Sequence, residues 1–549
     1  PVVLILIIIS LSLAGGLLGG NALSRNIAVS STPPSEFLSS FTEALDVIQQ
    51  NYVDEVDSDE LVYSAIKGML RVLDPHSSFL DPKEFARIRE DQLSRYYGLG
   101  IRVRPLFQGQ GRHVIVEPPS IGTPAQRKGL RAGDVIIRIE GKPIDDWTSD
   151  DVVSHLKGPK GTIVNITIER PGVPEPIYID IERDEIPLIT VPYVFELKPG
   201  IGYIKIDRFS ESTATEFRDK FKQIEGVSGL ILDLRDNPGG LLTQAIEISD
   251  FFLPRGELIV STKGRTEGSA RAYTAPNEEK IRIPIVILIN RHSASASEIV
   301  AGALQDHDRA LIVGERSFGK GLVQSVYTLE NETGLLLTTA KYYTPSGRLI
   351  QRDYSGSNFE YYFIEKEGDK TDNEVRHTDN LREVFSGGGI TPDIIESARE
   401  LNRFELQLAS RDAFFQFARR LTSGEVPSAG AFQLLEPEGE ASDRTGKAKV
   451  PDDLEISDAI LDEFRKYLRN DLKVEFSDVD FLNNVEFIKR RILQEAYNSS
   501  FGIQEGFKIG IQGDNQVLKA LELMPEAKSL MLTGQISPRQ QNEPIQDYR

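Results

Sequence analysis

Apolar residues recur at helical spacing near the start of the chain. Phe37, Leu38, Phe41, Ala44, Leu45 and Ile48 fall on one face, and Leu61, Val62, Ala65, Ile66, Met69 and Leu70 on another. Asp57, Ser58 and Asp59 stand ready to cap the second set, so Glu36 to about Arg95 reads as a small helical unit. From about Tyr96 to Ile186 the pattern changes to short β-runs punctuated by Gly, Pro and Asp: IRVRPLF, HVIVEP, DVIIRIEGKPI and IVNITIER, with a helical piece at Asp150–Leu156. Between Gly200 and about Ser397 the runs YIKID, GLILDLRD, PIVILIN and ALIVGE alternate with helical stretches, one at Leu241–Phe252 stopped by Pro254 and one after Ser295. Strands without polar alternation are buried on both faces, which predicts a largely parallel sheet covered by helices. After Glu400 the helical period returns, with Ile460, Leu461, Phe464, Tyr467 and Leu468 on one face and Val485, Ile488 and Ile492 on another.

These breaks divide the chain into 1–24, 35–95, 96–186, 187–400, 401–533 and a polar tail, 534–549, rich enough in Pro and Gln to be expected disordered. A Gly/Ser/Glu/Lys-rich stretch, Glu436 to Lys449, reads as a linker or mobile loop. Residues Pro1 to Gly20 carry no charge. At ~1.5 Å per residue such a run is ~30 Å long, about the hydrocarbon thickness of a bilayer. Two readings stand, an uncleaved membrane anchor and the apolar region of a signal peptide, and both predict an extracytoplasmic protein of the periplasm or cell envelope. The remainder is acidic, with 63 Lys and Arg against 83 Asp and Glu for a net charge of −20, which argues against a nucleic-acid partner. There are no cysteines, which excludes disulfides, Cys-ligated zinc, iron–sulfur clusters and a thiol nucleophile. The six histidines never form a ligand pair, so no metal site is expected.

The β-rich unit opens with Tyr97-Gly98-Leu99-Gly100-Ile101. Glycines at such a turn let successive N–H groups converge into a nest for a carboxylate, and the strand that follows offers an edge to an extended peptide. Further on, Pro124 to Ile136 reads as a short helix, a glycine-terminated turn and a strand. With the Gly141-Lys142 turn and a helix ahead of IVNITIER, this arrangement resembles a PDZ domain, its most specific piece being Gly129-Leu130-Arg131-Ala132-Gly133-Asp134. The resemblance implies that Gly98, Leu99, Gly100 and Ile101 hold the C-terminus of a protein or peptide. The competing reading is a β-roll whose glycines only make turns.

Three segments of the α/β region carry candidate chemistry. Leu230 to Gly240 is a buried strand running into a glycine turn ahead of a helix, a place where backbone N–H groups suit an oxyanion. Asn290 to Ile299 follows the strand PIVILIN and sets small hydroxyl residues at a helix start. Gly314 to Gln324 again follows a buried strand. Taken singly, each has a plain structural reading, since small serines cap helices and a Lys-Gly pair makes surface turns.

Together they resemble the carboxyl-terminal processing (tail-specific) serine proteases over roughly Glu36 to Ser397, including Leu73-Asp74-Pro75-His76-Ser77-Ser78-Phe79-Leu80-Asp81-Pro82 and Gly387-Gly388-Gly389-Ile390-Thr391-Pro392-Asp393. The resemblance implies a multidomain α/β protein: a ClpP/crotonase-like αβ-spiral core with an inserted PDZ-like β domain and flanking helical regions. It implies a serine endopeptidase that needs no cofactor or metal, gated by its PDZ unit. Ser295 of Ser-Ala-Ser-Ala-Ser-Glu becomes the nucleophile, Lys320 of Phe-Gly-Lys-Gly the base and Gln324 its helper. The oxyanion hole becomes the N–H of Ala296 with one from Gly239 or Gly240, and the N-terminal helices become a possible homodimer contact.

The chemistry of these residue types agrees with that assignment. Serine needs a base, and lysine serves only when burial lowers its pKa towards ~7–8. Phe318, Leu322 and Val323 would form the dry wall around Lys320, and Gln324 orients the amine without adding charge. His292 lacks an orienting Asp and is expected to be structural. Asp233, Arg235 and Asp236 are expected to pair and shape their turn, His76 to pack between the helical unit and the core, and Tyr342, Tyr343 and Arg348 to be possible substrate contacts. Two other functions compete: a non-catalytic PDZ scaffold with a dead hydrolase core, and an enoyl-CoA hydratase-like enzyme. The stretch Gln351 to Gly387 reads as an insertion relative to the family pattern, and the helices after Glu400 lie beyond it.

Overall fold

A computed structural model describes residues 34–533 except 106–112, 116–117, 121, 171–172, 279, 356–360, 363–373, 427–431 and 433–453. The expected membrane segment 1–24, the linker at 436–449 and the tail 534–549 lie outside the described residues. Among the described residues no helix is long and apolar enough to cross a membrane. The chain divides into two compact units at Leu73.

The first unit contributes helices Pro34–Asn51 and Ser58–Leu70. Asp57 caps the second by accepting the Asp59 N–H at 2.8 Å. Phe37, Leu38 and Phe41 are exposed among the described residues.

In the second unit, the helical pattern expected as far as about Arg95 is interrupted once before it gives way to strand. Ser78–Leu80 is a strand paired antiparallel with Gly334–Tyr343, and Arg95–Gly98 pairs with Asp184–Pro187. A strand of three residues such as Ser78–Leu80 is too short to display a period of two, so the sequence pattern does not mark it. Between them the helix Pro82–Leu93 is opened by an Asp81/Glu84 capping box.

The β-rich unit is an antiparallel sheet in the order Val103–Pro105, His113–Ile115, Val135–Ile139, Ile163–Glu169, Ile177–Glu182. Its core holds Leu99, Ile115, Ile136, Ile166 and Ile181, closed by Val152 and Leu156 of the helix Ser149–Leu156. Val103–Pro105 stands at the end of that order, with one paired side among the described residues.

The central sheet has six strands in the order Tyr193–Lys198, Ile201–Lys205, Gly229–Asp233, Ile285–Ile289, Leu311–Gly314, Ile394–Ile395. Only the first pair is antiparallel. Gly229–Asp233 and Ile285–Ile289 are buried at every position, as their unbroken apolar runs demand. Leu230, Leu232, Ile285, Ile287 and Ile289 face helices Leu242–Asp250 and Ala296–Asp306. Ile231, Val286 and Leu288 face the other way, onto Val517, Ala520 and Leu530 of the C-terminal helices Asn515–Glu522 and Met524–Thr533. A second sheet carries Leu322–Thr328 on the long strand Gly334–Tyr343.

The helices between Arg403 and Phe501 make a core of their own. One of them, Ala413–Thr422, sends Phe415 into contact with Val114 and Val135 of the β-rich unit. The Arg104 guanidinium sits 3.4 Å from that ring's centroid and 3.1 Å from the Asp412 carboxylate.

Candidate active site

Three loops leave the carboxyl ends of three adjacent parallel strands: 234–241 after Gly229–Asp233, 290–295 after Ile285–Ile289, and 315–321 after Leu311–Gly314. That end of a parallel sheet is where α/β folds bind ligands. The loops converge on a cavity of about 490 Å³ lined by Ser295, Lys320, Gln324, Gly239, Gly240 and Tyr342 among others.

Of the three serines in the Ser-Ala-Ser-Ala-Ser run, Ser293 donates its hydroxyl to Leu234 O at 2.8 Å and Ser297 to Asn237 O at 3.0 Å. Ser295 instead lines the cavity. It opens the helix Ala296–Asp306 at φ 54° and ψ −111°, a sharp strand-to-helix turn that costs a non-glycine residue about 1–3 kcal/mol and persists only where its surroundings enforce it. Here the enforcing group is Glu298, whose Oε2 accepts the Ser295 N–H at 2.7 Å.

The same buried carboxylate accepts three more bonds: the Lys320 N–H at 2.9 Å, the Gly319 N–H at 2.7 Å and the Ser317 hydroxyl at 2.5 Å. One carboxylate therefore ties the Ser295 and Lys320 loops together. Burial pushes its pKa up against the pull of these donors. Tyr342 adds a second tie, its hydroxyl lying 2.6 Å from Lys320 O and 3.1 Å from Ser295 O.

The Lys320 ammonium end donates to Gln324 Oε1 at 2.7 Å. Burial lowers its pKa, against the opposing fields of Glu298 and Asp74. Gln324 Nε2 in turn donates to His76 O at 2.7 Å.

The two glycines differ. Gly239 donates its N–H to Asn237 Oδ1 at 2.9 Å, so that N–H is already engaged within the turn. A Cβ there would lie 2.8 Å from both Ala296 N and Ser295 Cβ, so the turn must be glycine to pack on the serine. The Gly240 N–H has no acceptor among the described residues. Phe209 bridges this turn through Gly239 O and the Leu241 N–H.

His292 is exposed and touches Arg291, away from the cavity. Arg348, expected as a possible substrate contact, is fully buried against Asp306. Tyr343 lines a different cavity. Asp233 and Arg235 pair at 2.6 Å, and Arg235 also reaches Asp514 at 2.8 Å, while Asp236 bonds Asn290. The roles of Glu298, Asn237, Ser317 and His76 O went unread, although the Ser-x-x-Glu spacing of Ser295 and Glu298 is a capping-box signature.

In the β-rich unit Leu99 is buried in the core and its C=O accepts the Ala125 N–H at 3.0 Å. Gly100 takes φ 77°, and a Cβ there would lie 2.6 Å from Thr123 Cβ. Gly98 is buried and Ile101 packs on the core edge. Glu257, His307 and Asp379 form a separate polar cluster, with His307 Nδ1 2.7 Å from Asp379 and Nε2 2.7 Å from Leu258 O.

With this geometry in place, comparison with known proteins gives a consistent answer. Residues 200–356 match Peptidase family S41, 90–169 the PDZ domain and 21–84 the Activating protease CtpB N-terminal domain. The chain belongs to the carboxy-terminal-processing protease family: it is 43% identical over 324 residues to the Carboxy-terminal-processing protease of Bartonella bacilliformis, covering 57% of this chain and 72% of that one. It is 36% identical over 337 residues to the Carboxy-terminal processing protease CtpA of Bacillus subtilis, covering 61% and 70%. A solved photosystem II D1 C-terminal processing protease is 28% identical, covering 67% of this chain and 94% of that one at a TM-score of 0.34.

Proposed function

We propose that this S41 peptidase cleaves peptide bonds with a Ser295–Lys320 dyad and takes substrates by their C-termini through its PDZ unit. The observation that carries this reading is the Lys320 amine, drawn below its ordinary pKa by burial and held by Gln324 in the cavity that Ser295 lines. An uncharged amine takes the Ser295 proton as the hydroxyl attacks the substrate carbonyl. The oxyanion is received by the N–H groups of Ala296 and Gly240, whose turn packs on the serine. The protonated lysine passes its proton to the leaving amine, and water then hydrolyses the acyl-enzyme. The Gly98–Ile101 loop and the open edge of Val103–Pro105 support capture of an extended chain end. The uncharged run 1–20 supports an exported location as part of the same reading.

Ser295→Ala and Lys320→Ala, assayed separately on fluorescein-labelled casein, are each expected to lower turnover by roughly 10⁴-fold or more. Wild-type turnover in either variant overturns the dyad. Absence of turnover in the wild-type chain with peptide binding retained favours the scaffold reading instead.

A further inference from the structure

Lys320 orients on Gln324, and Gln324 orients on a carbonyl. A glutamine amide has two nearly identical ends, and which one faces the lysine is decided by what the other end meets. Here Nε2 meets His76 O at 2.7 Å, which leaves Oε1 for the Lys320 amine. The placement of His76 therefore governs the placement of the base.

His76 is itself gripped by two tyrosines that lie beyond the 200–356 family match, within the stretch read as an insertion. Its Nε2 is 2.7 Å from the Tyr361 hydroxyl and its Nδ1 3.3 Å from the Tyr362 hydroxyl. The directions of these bonds can be assigned. Gln351 Oε1 accepts the Gly321 N–H at 2.8 Å and its Nε2 donates to Arg352 O at 2.9 Å, so two backbone groups fix that amide. Nε2 also donates to the Tyr361 oxygen at 3.2 Å, leaving the Tyr361 proton for His76 Nε2. Tyr362 donates to Pro75 O at 3.0 Å and so accepts from His76 Nδ1–H. A single tautomer, protonated on Nδ1, satisfies every member.

The same rings roof the lysine turn. Tyr361, 4% exposed, meets Phe318 edge-on at 5.5 Å, and Arg352 lies over both rings at 5.0 and 5.5 Å. Bonds thus run from Lys320 through Gln324, His76, Tyr361 and Gln351 back to Gly321, the lysine's own neighbour.

We propose that Tyr361 and Tyr362 are positioning residues for Lys320, acting through His76 and Gln324. Burial above all holds the His76 pKa down at about 4, with Asp74 pulling the other way, so the imidazole stays in the uncharged form that this bond pattern requires. The inference rests on Lys320 being the base, as proposed above.

The test compares Tyr361→Phe, Tyr361→Ala, Tyr362→Phe and Lys320→Ala in the full chain, with fluorescein-labelled casein as substrate. Tyr361→Phe keeps the roof and loses the bond, so kcat falls about tenfold while KM holds within about twofold. Tyr361→Ala also lets water reach the amine, and the acid limb of kcat/KM moves to higher pH. Tyr362→Phe, at a half-exposed residue that tolerates change, gives a smaller fall in kcat with KM unchanged. Wild-type kcat and acid limb in all three tyrosine variants, or a loss confined to KM, overturns the positioning role while an inactive Lys320→Ala leaves the dyad standing. An active Lys320→Ala overturns the dyad itself.

Discussion

Glu298 accepts the backbone N–H of Lys320 at 2.9 Å with the same oxygen that accepts the Ser295 N–H at 2.7 Å. Ser295 and Lys320 sit on different loops, 25 residues apart in the sequence, and this carboxylate fastens both. Glu298→Gln replaces one acceptor oxygen by a donor that faces an N–H or O–H. It is expected to destabilise the fold by about 1.5–3 kcal/mol and to lower kcat roughly a hundredfold through loop displacement. Urea unfolding and turnover measure the two effects, and an unchanged kcat contradicts the role.

The glycine turn makes a second demand. Gly239→Ala brings a Cβ to 2.6 Å from Ala294 O and 2.8 Å from Ser295 Cβ, at a φ of 97° that alanine resists. Turnover on labelled casein should fall roughly 10²–10³-fold, the size of a lost oxyanion donor, while far-UV circular dichroism stays native. Turnover within twofold of wild type would remove the turn from the site.

How much of this was legible follows from the range of each interaction. Unbroken apolar runs such as Ile285–Ile289 declare strands covered on both faces, because burial is written residue by residue. Ser295, Lys320 and Gln324 stand in short motifs that resemble the family's, and the structure brings all three to one cavity. The bond from Gln324 to His76 O spans 248 positions and that from His76 to Tyr361 spans 285, and no periodicity encodes such a pairing. His76 looked like packing because its useful atom is a carbonyl, which every residue owns. Nothing in the sequence distinguishes Gly239 from Gly240, because what separates them is a bond from the Gly239 N–H to Asn237 Oδ1. Glu298 was hidden by being an ordinary helix-capping residue as well as a tie between loops.

The helices after Glu400 have a partner in the β-rich unit. Phe415 packs on Val114 and Val135 beneath the Arg104 guanidinium. Phe415→Ala removes a buried ring at a cost of about 3 kcal/mol and should loosen that contact. Amide hydrogen exchange of Val103–Pro105 and His113–Ile115 is then faster, with the central sheet unchanged. Equal exchange in both proteins would mean the contact does not hold the unit.

His307 ends the helix that Ser295 begins. Burial works to lower its pKa, but the bonds to Asp379 and Leu258 O and the nearby Glu257 prevail and raise it above 6.5. A histidine whose folded pKa is raised stabilises the fold fully below its unfolded value, and that contribution is lost as pH rises through the folded value. Urea midpoints should therefore decline across that window in the wild-type chain and decline less in His307→Gln. Identical slopes would contradict the shift.

The central claim is that a buried lysine is uncharged enough to activate Ser295, and the rate at which a fluorophosphonate phosphonylates that serine, with loss of fluoride, reads it directly. Measured against pH, the wild-type rate should rise through a midpoint below lysine's ordinary 10.5, and Lys320→Ala should remain unlabelled at every pH. A midpoint at the ordinary lysine value, or labelling of Lys320→Ala at the wild-type rate, would contradict the account.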